Sequence, residues 1–244
     1  MAIAVLEKSF RTLEAMSEMG EPISLKQVVS ATGLPKPTLH RILRTLTDLG
    51  YVDQDGDRHG YRLTPRLLRL TRGASFTDLV EKALPAMERL HRLFNETVNL
   101  GVLRGHNVYY VHVIETTQSL RWQVHPGRRD PWYSTALGRA IVAALPDARM
   151  AELLVAARID AKTPFAPRDR AEIEKIIRET RASGVAIDDQ ENDLGVVCLS
   201  VPFENDSGLP AAISVSVPKS RVTAALQKRI ADALCRLDGR PARR

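Results

Sequence analysis

A chain of 244 residues with 44% apolar content is long enough for two hydrophobic cores and excludes wholesale disorder, while two cysteines, Cys198 and Cys235, exclude a disulfide framework. No apolar run is long enough to span a bilayer, and MAIAVLEKSF lacks the basic start and cleavage pattern of a signal peptide, so a cytoplasmic protein without a membrane partner is expected. The net charge of +6 points toward a polyanion, and the excess is local: residues 24–73 hold nine Lys or Arg against four Asp, a surplus of five.

Residues 3–19 read as a helix with Leu6, Phe10, Leu13 and Met16 on one face, expected to cover the two helices that follow. Ser24 and Gln27 stand in capping-box spacing, and Ile23 and Val28 occupy the two positions of a hydrophobic staple, so a helix should start at Leu25. Gly33 stops it, because glycine tolerates the left-handed conformation that closes a helix. A second helix carries Pro37 in its first turn and an apolar stripe of Leu39, Ile42, Leu43, Leu46 and Leu49. Its opposite face holds Arg41, Arg44 and Asp48, flanked by Thr38, His40 and Thr45. Two helices joined by a short turn, the second exposing cations near its start, suit insertion into a DNA major groove. Arg41 and Arg44 should dominate binding, with Lys36, Thr38 and His40 setting register. The competing reading is an ordinary helical hairpin with a solvated basic face.

After Gly50, residues 51–54 and 61–63 flank a DGDRHG turn and form a short hairpin, a wing. Arg58, His59 and Arg62 on or near it are within reach of phosphate or the minor groove, although a solvated hairpin is the plain alternative. Thr64-Pro65 starts a helix that ends at Gly73, which closes a DNA-binding domain over residues 1–73. Residues 77–94 form a longer helix containing Pro85, within a linker assigned to 74–94. From residue 96 the period shifts toward two: TVNLGVLRG and VYYVHVIET make a hairpin, with a third strand at 120–125. Helices follow at 135–145, 147–157 and 168–183, strands at 185–188, 196–203 and 211–217, and a closing helix at 221–237. That order gives an α+β domain around an antiparallel sheet over residues 95–244.

Six ordered segments resemble the isocitrate lyase regulator (IclR) family of bacterial transcription regulators: TGLPKPTLHRILRTL, YRLTPRLLRL, ETVNLGVL, GRRDPWYSTALGRA, DDQENDLGVVCLSVPF and AAISVSVP. The resemblance implies a winged helix-turn-helix, a linker helix and a GAF-like domain that binds a small effector. It also implies a dimer or tetramer on a pseudo-palindromic double-stranded DNA operator near the regulated, metabolic genes. Carried over residue by residue, the effector-binding positions are the backbone of Ala136 and Leu137, then Asp188, Cys198, Ser214 and Ser216. Free amides at a helix start favour an anionic group, and two serines one residue apart on a strand face the same way, which agrees with a small organic acid. The chain departs from the family at Trp132 and Tyr133, where an aliphatic residue and a His are commoner, and at Trp122, which replaces an aliphatic residue. Trp122 and Trp132, with Tyr133, suggest walls for a flat, aromatic ligand; packing of the core beneath the helix is the alternative. An ionised Asp188 would repel a bound anion unless it meets a ligand hydroxyl or is screened by Arg128 or Arg129, which favours hydroxylated acids.

Two other classes compete. Ser134, His125, Asp188 and Cys198 can be arranged on paper as a hydrolase, but no nucleophile-elbow glycine pattern surrounds either nucleophile and no phosphate-binding glycine loop is present, so no enzyme is expected. The six histidines show no i,i+4 pair, so neither a metal nor a cofactor is expected. A module that binds a small molecule and signals to protein partners without DNA leaves the cationic reading helix unexplained.

Overall fold

The computed structural model describes residues 3–20, 22–54, 60–71, 76–206 and 208–237. Contacts divide the chain into two units, Met1–Ser75 and Phe76–Arg244.

The first unit contains α1 (Ala4–Ser17), β1 (Ile23–Ser24), α2 (Leu25–Thr32), α3 (Lys36–Asp48), β2 (Val52–Gln54) and β3 (Gly60–Leu63). The capping box forms as the spacing predicts: Gln27 N donates to Ser24 Oγ at 3.3 Å, and Ser24 N donates to Gln27 Oε1 at 2.8 Å. Gly33 closes α2 at φ 65°, where a side chain would be strained. Ile23, Val28, Leu39, Leu43 and Val52 make a sealed core with Met16. β1 is an addition to the expected wing, pairing Ile23 with Tyr61 so that the sheet runs β1-β3-β2. Its two residues are too few to show a period. The wing turn at residues 55–59 lies outside the described residues.

Two expectations here need correction. In α1 only the second half packs: Thr12 and Met16 are buried, but Leu6 is 53% and Phe10 58% exposed. The first two turns stand off from α3 instead, with a groove between Val5 and Ser9 on one side and Thr38, Arg41, Ile42 and Thr45 on the other. After the wing, Pro65–Thr71 winds as a 3-10 helix rather than an α-helix. Thr64 Oγ1 accepts from Arg66 N at 3.3 Å and donates to Gly50 O at 2.6 Å, which ties the segment back to the end of α3.

The second unit contains α4 (Thr77–Phe94), β4 (Thr97–Arg104), β5 (Asn107–Ile114), β6 (Arg129–Pro131), α5 (Ala136–Ala144), α6 (Asp147–Ala156), α7 (Arg170–Ser183), β7 (Ala186–Asp189), β8 (Val196–Phe203), β9 (Ala211–Pro218) and α8 (Ala224–Cys235). The antiparallel sheet has the order β6-β5-β4-β9-β8-β7. Val98, Leu100, Val215 and Val217 turn one face to α4 and α8, where Leu79, Ala83, Met87 and Leu90 bury the apolar side of α4. The other face packs on α5, with α7 behind it. The third strand expected at 120–125 is not a strand. Gly127 N donates to Tyr110 O at 2.8 Å and Tyr110 N to Arg128 O at 3.0 Å, so the free edge of β5 is taken by residues beyond the Pro126-Gly127 turn.

Two glycines let α5 lie close to its neighbours. A Cβ at Gly101 would stand 2.8 Å from Val108 Cγ1 and 3.0 Å from Leu137 Cδ1; one at Gly138 would stand 2.2 Å from Trp132 O. The start of α5 is therefore set against the inward polar residues of β8 and β9.

Candidate DNA-reading face and effector pocket

α3 exposes Lys36, His40, Arg41 and Arg44 and leaves Thr38 half-buried, while Leu39, Ile42, Leu43 and Leu46 anchor its other side. Among the described residues no carboxylate pairs with Lys36, Arg41 or Arg44, so their charge faces solvent. Arg62 is exposed on β3 across the ladder from Asp53. Arg58 and His59 lie outside the described residues. A helix anchored on one side and cationic on the other, beside a strand hairpin, has the geometry for major-groove entry with backbone contacts at its flank.

In the second unit a cavity lies between the start of α5 and the sheet. Trp122, Ala136, Leu137, Asp188, Cys198 and Ser214 line it, joined by Tyr110, Thr135, Asn192 and Asp193. It is nearly filled by its own lining, with a volume of about 10 Å³, roughly one water. Thr135 caps α5 by accepting from Gly138 N at 3.1 Å, and the amides of Ala136 and Leu137 have no acceptor within the helix. The partial positive charge of the helix end thus falls on the cavity.

On the sheet, Ser214 of β9 lines the cavity, backed by Ser216 and by a residue the sequence reading misses. Asn99 on β4 stands opposite Ser214 and donates through Nδ2 to Ser214 Oγ at 3.1 Å and Ser216 Oγ at 2.9 Å. Its Oδ1 is buried without a partner. Because both hydroxyls accept from Asn99, their own hydrogens are left to donate elsewhere. Ser216 does not line the cavity; its Oγ sits 3.1 Å from Cys198 Sγ and braces that side chain. Burial, reinforced by the charge of Asp188, pushes the Cys198 thiol up, so it is a neutral packing group and a poor nucleophile.

Asp188 is 4% exposed. Its Oδ1 accepts from the amides of Glu191 at 2.8 Å and Asn192 at 3.3 Å. Burial raises its carboxyl to about 7, against the pull of Arg139 and those two amides. The screening expected from Arg128 or Arg129 does not arise: Arg128 is held by Asp130 and Asp193 at 2.8 Å each, and Arg129 is exposed on the edge strand. For Asp130, burial alone would raise the carboxyl, yet the hydrogen bonds and charges of Lys162 and Arg128 hold it below the usual range.

The three aromatic residues separate. Trp122 is half-buried on the cavity, edge-on to Tyr110 at 6.2 Å and under the Arg128 guanidinium at 4.9 Å. Trp132 is fully buried outside it, because the close approach of α5 at Gly138 pins its backbone and carries the ring into the core against Tyr133. Tyr133 turns away to donate to Arg158 O at 3.0 Å and accept from Asp160 N at 2.8 Å. Tyr110 takes the second aromatic place instead; its inward position on β5 in the period-two run is the signal for it.

A winged helix-turn-helix with a cationic reading helix, followed in one chain by a domain with an enclosed polar cavity, defines a ligand-responsive DNA-binding regulator. Residues 5–56 match the IclR helix-turn-helix domain and residues 72–237 match the bacterial transcriptional regulator IclR C-terminal domain, so the chain belongs to the IclR family of transcription regulators. The HTH-type transcriptional regulator XynR of Escherichia coli (strain K12) is 32% identical over 224 residues, covering 90% of this chain and 88% of that protein. The crystal structure of a putative transcriptional regulator from Rhodococcus sp. RHA1 has a TM-score of 0.70 at 29% identity, covering 96% of this chain and 94% of that one. An IclR homolog from Microbacterium hydrocarbonoxydans, solved in complex with 4-hydroxybenzoate, shares the fold at a TM-score of 0.65 and 20% identity, covering 94% and 97%. No described helix is long and apolar enough to cross a membrane, and no described group of His, Cys, Asp or Glu is placed to hold a metal ion.

Proposed function

We propose that this regulator acts in the cytoplasm on a pseudo-palindromic operator of a catabolic operon and responds to a small organic acid, favouring a hydroxyaromatic one. Arg41 and Arg44 read base edges or phosphates, Lys36, Thr38 and His40 set register, and Arg58 and Arg62 reach the flanking backbone. The acid's carboxylate meets the amides of Ala136 and Leu137 and the hydroxyl of Ser214, with Ser216 and Cys198 behind it. Trp122 is the movable wall, since a cavity of about 10 Å³ admits a ring only after that side chain shifts. The observation that carries the reading is the pairing of the Ala136 and Leu137 amides, which have no acceptor within the helix, with the Ser214 hydroxyl, which accepts from Asn99 and keeps its own hydrogen to donate, both opening on one cavity. The 4-hydroxybenzoate held by the Microbacterium homolog supports the aromatic choice.

Calorimetric titration with aliphatic and hydroxyaromatic acids tests it. Ser214→Ala with Ser216→Ala should weaken the best acid by tenfold or more, the loss of about one or two hydrogen bonds to a charged group. Unchanged affinity in the double variant contradicts the pocket.

The active species is a dimer or tetramer. One winged helix makes few contacts for specific binding, and two-fold symmetry doubles the site. Ile3, the N-cap residue of α1, forms with Leu6 and Phe10 an exposed apolar stripe, an interface in search of a second copy. Sedimentation at micromolar concentration should give a dimer or larger, and Phe10→Glu should weaken it; a monomer with full operator affinity contradicts the assignment.

A further inference from the structure

The charges around the pocket do not balance. Among the described residues that line the cavity or bond to its lining, three cations, Arg128, Lys162 and Arg139, are bound to three carboxylates, Asp130, Asp193 and Glu191. Lys162 sits 2.7 Å from Asp130 Oδ1, and Arg139 is further tied to Ile187 O at 2.9 Å and Tyr133 O at 2.8 Å. Asp188 is the fourth carboxylate and has no cation of its own. Around it stand Tyr110 from β5, Cys198 from β8, Arg139 from α5, and Glu191 and Asp193 from the loop after β7, with Arg128 and Asp130 beyond. Its backbone hydrogen bonds fall on Oδ1, and it lines the cavity directly.

We infer that the pocket binds a monocarboxylic acid together with one proton, carried by Asp188, and rejects dicarboxylates. The inference rests on the pocket reading above. An anion brought beside Asp188 has no unpaired cation to meet, so the charge is balanced by a proton taken from solvent onto the Asp188 carboxylate, which then donates a hydrogen bond to the ligand. That one proton neutralises one carboxylate. A second carboxylate on the ligand would be buried with neither proton nor cation, and such burial is strongly disfavoured.

The Asp188 carboxyl, already raised to about 7 by burial, is raised further by a bound anion, so the complex holds more protons than the free protein above pH 7. Affinity is then flat below about pH 6.5 and falls by about tenfold per unit above 7. Asp188→Asn supplies a neutral donor of the same shape at every pH.

Titration of the full chain with benzoate, terephthalate, hexanoate and adipate, at pH 8 in two buffers of different ionisation enthalpy, decides it. Expected are an uptake of close to one proton per bound monoacid, and dicarboxylates weaker than the matched monoacids by a hundredfold or more. Asp188→Asn should bind the monoacid about tenfold more tightly than the native chain at pH 8, with a flat pH profile. Zero proton uptake in the native chain, or terephthalate within tenfold of benzoate, overturns the inference while leaving the pocket intact. Failure of every acid to bind, or binding untouched by the two serine substitutions, removes the pocket reading and this inference with it.

Discussion

Replacing Arg139 with Met should lower stability by about 3–5 kcal/mol, the usual cost of removing one partner from a buried ion pair. The Arg139 side chain is fully buried and donates to both oxygens of Glu191, to Ile187 O and to Tyr133 O. Met fills much of the space but leaves two carbonyls unpaired and the Glu191 carboxylate, 15% exposed, without its cation. The guanidinium also ties α5 to the loop that positions Asp188, so the variant should lose ligand affinity as well. Urea denaturation followed by circular dichroism reads the loss, and adding Glu191→Gln should recover part of it, because the stranded charge is then gone. A loss below about 1 kcal/mol would mean the pair behaves like an exposed one.

Arg41→Ala with Arg44→Ala should weaken operator binding by about 2–6 kcal/mol, at about 1–3 kcal/mol for each bidentate contact to guanine. Contacts to phosphate instead weaken every sequence alike and reduce the salt slope by about one per contact. Anisotropy titrations against operator and unrelated DNA at several salt concentrations separate the two. Both side chains are exposed and carry no structural partner, so the variant should keep its melting temperature. Unchanged affinity and salt slope in a folded variant removes α3 as the reading helix.

Much of the fold is legible because its elements end on residues with local mechanisms. Ser24 and Gln27 cap α2, Gly33 closes it, and α4 spans Thr77–Phe94 where the 3.6-residue period runs. Strand β8 likewise falls on Val196–Phe203, as the period of two predicts. What escapes depends on partners distant in sequence. β1 exists because β3 arrives to pair with it, and β6 takes the edge of β5 because the Pro126-Gly127 turn delivers it there. In the pocket, Ser214, Cys198 and Asp188 share a face by strand alternation, which periodicity can show. Asn99 is a polar residue in an inward slot of β4, a signal that the sequence itself carries. The placement of Trp132 is not readable, because it depends on how closely α5 approaches at Gly138. Nor is the state of Asp188, which is set first by its burial and then by Arg139, whose charge is shared with Glu191.

The proposed function requires acid binding in the second unit to be coupled to DNA binding by the first. Anisotropy of a labelled fragment from the DNA flanking its own coding region, titrated with protein in the absence and presence of the tightest-binding monoacid, measures that coupling directly. The expected result is an operator Kd shifted by about 5–150-fold, the range of allosteric coupling at 1–3 kcal/mol, with the shift lost in Ser214→Ala, Ser216→Ala. An operator Kd that is the same with and without saturating acid, in a chain that calorimetry shows to be liganded, would contradict it.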